Sequence, residues 1–135
     1  MFEAFKFSQK QVDRHYQTAL KDLKIAGGSD VPEIIFQFCF NSLIKLAITI
    51  CADNGLRIKA RKGHHIELIQ KLAEYLNDKE IEVLANEMRG KRNRDLYDGG
   101  MLITHKEAGE YLKWTKNIFE AARKYFDKKR PRLKI

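Results

Sequence analysis

The sequence predicts an all-α fold, an up-and-down bundle of about five helices, and three observations predict it. The chain has 135 residues, about the size of one domain built on one core. Two prolines and eight glycines over that length are too few for the many tight turns of a sandwich or barrel. Apolar residues recur at helical spacing between cap and stop signals along most of the chain. With 44% apolar and 33% charged residues, the composition is that of a folded, highly charged domain rather than a disordered chain.

Each helix is punctuated by its own residues. Ser8 with Gln11 forms a capping-box pattern ahead of Val12, Tyr16, Ala19, Leu20 and Leu23, and Gly27-Gly28 ends that stripe. Asp30 with Glu33, and Pro32 in the first turn, open a second helix that stops at Asn54-Gly55. Ile34, Ile35, Phe38, Leu43, Ile44, Leu46, Ala47, Ile48 and Ile50 make this helix apolar on most sides, so it belongs at the centre of a bundle or in an interface between copies. A third helix is predicted from about Gly63 to Leu76, and a fourth from after Asn77-Asp78 to near Gly99-Gly100. Thr104 with Glu107 caps the fifth, in which Ala108, Leu112, Thr115, Phe119, Ala122 and Phe126 keep a 4-3 rhythm. Residues 1–127 thus read as one bundle and 128–135 as a basic tail that frays around Pro131.

Compartment and chemistry are bounded next. The start MFEAFKFSQKQ lacks the apolar core of an export signal. The stretch 34–52 is broken by Gln37, Asn41, Lys45 and Thr49, against a membrane span. Cys39 and Cys51 fall in the second helix, about 18 Å apart along it, too far to pair, and two core-type thiols fit a reducing cytoplasm. No zinc spacing, phosphate loop or nucleophile elbow occurs, so no metal or cofactor is expected. His64 and His65 are adjacent at a helix start and read as capping or packing residues, with a shared site beside the 57–62 basic cluster as the alternative.

The net charge of +8 is unevenly placed. Arg57, Lys59, Arg61 and Lys62 form one acid-free cluster, Arg89, Lys91, Arg92 and Arg94 a second, and residues 121–135 hold seven bases against Asp127 alone. Together these hold +14 while the remainder of the chain is −6. Such polarisation suits a polyanion, RNA or nucleotide phosphate, better than general solubility does; solvated faces near helix ends are the plainer alternative. Gln37, Asn41, Lys45 and Thr49 recur every four residues as one polar seam on the second helix. That seam, with Asn41 and Lys45 at its middle, is expected to floor a groove beside the fourth helix. In the fourth helix, Ile81, Ala85 and Met88 set an apolar rhythm whose next position is Arg92. An arginine there either meets an anion or pairs with an internal carboxylate. Arg89, Asn93 and Tyr97 line the adjoining strip, offering guanidinium, amide and phenol groups to phosphate and ribose.

The chain resembles HEPN domains (higher eukaryotes and prokaryotes nucleotide-binding) over roughly residues 10–126. The resemblance rests on ALKDL in the first helix, the long apolar second helix, GLRIKARKGHHIELI, and MRGKRNRDLYDGG followed by ITHKEAGEYLKWTKNIFE. It implies a homodimeric helical bundle acting as a metal-independent ribonuclease, toxin-like and partnered by a minimal nucleotidyltransferase. Arg92 then matches the family's arginine and Asn93 the polar residue beside it, with Tyr97 where the family has histidine. Tyrosine, near pKa 10, is a poor proton acceptor at neutral pH, so the phosphate-binding half of the motif is present without its usual base. Arg92, Asn93 and Tyr97 are the candidate catalytic residues. The second functional reading is a non-catalytic protein that docks a partner such as that nucleotidyltransferase through its apolar second helix and basic faces.

Overall fold

The computed structural model describes residues 2–59, 64–97 and 103–129, and of residues 94–97 the helical backbone alone. In chain order the elements are β1 (Phe2–Ala4), α1 (Gln9–Gly27), α2 (Pro32–Asp53), β2 (Leu56–Ile58), α3 (His64–Leu76), α4 (Lys79–Tyr97) and α5 (His105–Lys129). The fold is all-α, a bundle of five helices with one small sheet.

Most helix ends follow the signals that predicted them. Ser8 caps α1 with both bonds of the capping box: its hydroxyl accepts from the Gln11 N–H at 3.1 Å, and its own N–H donates to Gln11 Oε1 at 2.8 Å. Thr104 and Glu107 repeat the device at α5, with bonds of 3.0 and 3.1 Å. Asp78 accepts from the Glu80 N–H at 3.0 Å and opens α4, after Asn77 turns the chain at φ 53°. One expected cap is corrected. Asp30 does not cap α2; Val31 holds the cap position without a side-chain bond, and Pro32, whose missing N–H needs no partner, begins the helix. The fifth helix also runs to Lys129, two residues past the predicted limit, because Lys129 reaches back to Asp53 Oδ2 at 3.0 Å and Asn54 Oδ1 at 2.9 Å.

The sheet has no counterpart in the sequence reading. β1 pairs antiparallel with β2 in the register Phe2↔Ile58, Glu3↔Arg57, Ala4↔Leu56, and the Phe5 N–H extends it to the Gly55 carbonyl at 2.9 Å. Gly55 sits at φ 74°, where a side chain would be strained, and this turn redirects the chain from α2 into β2.

Helix α2 is the axle of the bundle, packed by α1, α3, α4 and α5, whereas α1 and α5 meet only slightly. Phe36, Phe40, Leu43, Leu46 and Ile50 are its largest fully enclosed apolar side chains. It is long and apolar enough to cross a membrane, yet 67% of that apolar window is buried inside the bundle. Among the described α2 residues Ile34 is the one strongly exposed large apolar side chain, while Phe38 and Ile48 are half-buried against the core. Cys39 and Cys51 are buried free thiols, which burial pushes up to about 11 and about 12; they serve as small core residues.

The buried hydroxyls of this core are satisfied locally. The hydroxyls of Ser42, Thr49 and Thr115 donate to the carbonyls of Cys39, Lys45 and Tyr111 at 2.7–2.8 Å. The predicted seam is corrected accordingly. Thr49 is fully buried, the Gln37 amide donates to Asn41 Oδ1 at 3.1 Å, and Lys45 meets Asp22 of α1 at 2.7 Å. Lys45 thus has an acidic partner within the chain. Lys45 is engaged with α1 rather than lining a groove beside α4, and the α2 residue against Arg92 is Phe40.

Candidate functional site

Three helices bring basic and aromatic side chains together at one corner. Helix α4 delivers Arg92 on the continuation of the buried stripe Ile81, Ala85, Met88. Its guanidinium carbon lies 5.8 Å from the centre of the Phe40 ring, which α2 holds at 1% exposure. From the first turn of α3, His65 stands edge-on to the same ring at 5.7 Å and 70°, and His64 lies 4.4 Å from His65. Arg89 is one turn before Asn93 on α4, and its Nε donates a long bond to Asn86 Oδ1 at 3.4 Å.

The electrostatics of this corner are one-sided. Arg92 is half-buried, and its Nε is enclosed without a hydrogen-bond partner. None of the ion pairs among the described residues involves Arg92, so the internal carboxylate that a structural role needs is not supplied by them. Burial first, and then the positive charges of His64, Arg92 and Arg89, push the His65 imidazole down to about 4. At neutral pH His65 is therefore an uncharged ring beside a cation that has no ion pair among the described residues. Enclosing a guanidinium donor without a partner is costly, and an anion seated on it removes that cost.

The other predicted residues divide clearly. Asn93 is half-buried on α4 next to Arg92. Tyr97 and Arg94 lie on the α4 backbone, their side chains outside the described set, and Arg61 and Lys62 lie outside the described residues altogether. Lys91 turns away into an α4–α5 clasp. Its ammonium donates to the Tyr111 hydroxyl at 2.8 Å, that hydroxyl donates to Glu87 at 2.6 Å, and Glu107 stands 3.6 Å away. These partners, the Tyr111 bond above all, raise the Lys91 pKa above its ordinary value. Arg57 is committed to its cross-strand neighbour Glu3 through bonds of 2.9 and 2.6 Å, which hold the Glu3 carboxyl below its ordinary range. Lys59 is 4.0 Å from the same carboxylate. Lys91 and Arg57 are thus structural clasps before they are phosphate ligands, a correction to the reading of both clusters.

His65 is the residue that sequence reasoning set aside. Its signal was the stripe His65, Leu68, Ile69, Leu72, spaced i, i+3, i+4, i+7, the last three of which are buried. A histidine heading a buried stripe faces the bundle rather than the solvent. Among the described residues no group of three or more His, Cys, Asp or Glu side chains is placed to hold a metal ion. No family model, curated protein or solved structure matches the chain.

Proposed function

We propose that this protein binds the phosphate groups of RNA at the corner where Arg92, Arg89 and Asn93 of α4 meet His64 and His65 of α3. One observation carries the reading: a half-enclosed arginine with a buried, unpartnered Nε, beside two more cationic or polar donors and without an ion pair. Phosphate oxygens match those donors in charge and geometry. The HEPN-like resemblance of the sequence agrees, since it places phosphate recognition on the same arginine and asparagine.

If cleavage accompanies binding, the described group beside Arg92 that can take a proton is His65, from α3. A bound phosphate lifts its depressed basicity towards the ordinary imidazole range by direct attraction. The test is incubation of RNA with metal-free protein and with His65→Gln. Cleavage lost in the variant while binding remains assigns His65 that role; no cleavage by either makes the protein a binding module.

A second reading rests on a different surface. Ile25, Val31 and Ile34, 38–41% exposed, cluster at the turn between α1 and α2. A protein partner, whether a second copy in the homodimer implied by the resemblance or a minimal nucleotidyltransferase, docks there rather than on the flank of α2, which is covered. Light scattering of Ile34→Glu beside wild type tests it: a dimer that dissociates in the variant locates the interface, and unchanged mass removes the patch from it. Free buried thiols at Cys39 and Cys51 suit a cytoplasmic setting for either reading.

A further inference from the structure

At the opposite end of the sequence from Arg92, two phenylalanines are held outside the core. Phe5 and Phe7 belong neither to the core cluster nor to the side chains packed against it, and both are half-buried at the surface. Backbone bonds fix them instead. The Phe5 N–H is tied to the Gly55 carbonyl, and Phe7 immediately precedes the Ser8 capping box. Their rings lie 4.7 Å apart at 59°, Phe7 stands at 80° on His15 at 5.8 Å, and the Arg57 guanidinium covers Phe5 at 4.3 Å. Beside Phe7 opens a cleft of about 320 Å³ lined by Gln11, Arg14, His15 and Thr18.

Core formation does not explain rings that lie outside the core cluster, and their surroundings are basic. Lys6, Lys10 and Arg14 are exposed. Of the nearby acids, Glu3 is occupied by Arg57 and Asp13 accepts the Gln9 amide at 2.7 Å. Burial, with Arg14 beside it, lowers the His15 pKa, so its ring is a neutral surface at pH 7. Aromatic faces interleaved with cations are what a flexible polyanion with flat bases requires: rings stack with the bases and cations follow the phosphates. The Arg14 guanidinium and the Gln11 amide N–H groups suit the rim of a base, while Gln11 Oε1 serves the Ser8 cap and the Thr18 hydroxyl donates to the His15 carbonyl at 2.8 Å.

We propose that Phe5 and Phe7, with His15, Arg14 and Arg57, form a platform that stacks the bases of single-stranded RNA. The inference rests on the RNA-binding reading and extends it from phosphate contacts at Arg92 to base contacts on a second surface. The test uses a labelled oligouridylate of about ten nucleotides and inorganic polyphosphate as a base-free competitor. Measurements are made on wild type, Phe5→Ala/Phe7→Ala and Phe7→Leu, the last keeping apolar bulk without the ring face; melts confirm folding. Expected is a loss of oligouridylate affinity of about tenfold to a hundredfold in the double variant, a smaller loss in Phe7→Leu, and unchanged polyphosphate binding. Oligouridylate affinity retained by both variants, or lost together with polyphosphate affinity, overturns the platform and leaves phosphate binding standing. Wild type that binds neither probe overturns both readings. Ring-dependent binding to anionic vesicles without oligouridylate binding replaces RNA with a bilayer surface and overturns the platform as well.

Discussion

Lys45 of α2 and Asp22 of α1 face each other at 2.7 Å across the most extensive helix pair of the bundle. Asp22 is 5% exposed, so its carboxylate is taken from water and Lys45 is its compensating charge. Lys45 keeps 43% of its side chain accessible, with its stem along α2. Lys45→Met therefore leaves a buried acid without its cation and is expected to destabilise by about 1–3 kcal/mol. Adding Asp22→Leu should recover most of that loss, because the pair is then replaced by apolar contact. Urea unfolding of the two singles and the double decides; a single variant within about 0.3 kcal/mol of wild type contradicts the pairing.

Lys91 separates a structural cation from a binding one within a single basic run. Lys91→Met should cost about 1 kcal/mol through the lost bond to Tyr111 and the weakened tie to Glu107. RNA affinity and its salt slope should stay unchanged. A slope reduced by about one unit would instead make Lys91 a phosphate ligand.

Much of the fold was legible because local signals and the global arrangement agree. Ser8 with Gln11 and Thr104 with Glu107 formed the bonds their spacing predicts, and the all-round apolar α2 became the axle. The sheet was not legible, since three-residue strands carry too little alternation and their pairing joins Glu3 to Arg57 across the whole of α1 and α2. At the site, the broken rhythm at Arg92 was readable from α4 alone. His65 and Phe40 were not, because their meeting depends on how α2, α3 and α4 pack, which no one-helix pattern contains. For the same reason a charge run could not show that Arg57 and Lys91 were already taken by Glu3, Tyr111 and Glu107.

The depressed imidazole of His65 makes stability depend on acid. Above about pH 6.5 the ring is neutral in both folded and unfolded chains and contributes no pH dependence. Between pH 6.5 and about 4 the unfolded chain binds a proton that the folded chain refuses, so stability falls as pH falls through that window. Wild type should therefore lose more melting temperature between pH 7 and 4.5 than His65→Gln. Equal losses would show that His65 takes up its proton as readily in the folded protein as in a free chain. Saturating polyphosphate should shrink the difference, because a bound anion stabilises the charged ring.

The central claim, that Arg92 serves an anion rather than the fold, is tested most directly by Arg92→Ala, with RNA affinity and thermal stability measured on the same preparation. The account predicts that binding is lost while the melting temperature is unchanged or rises, because a guanidinium without a counter-ion is removed from an apolar rhythm. A variant that still binds RNA with wild-type affinity but unfolds with about 3–5 kcal/mol less stability, the signature of a broken buried ion pair, would contradict it.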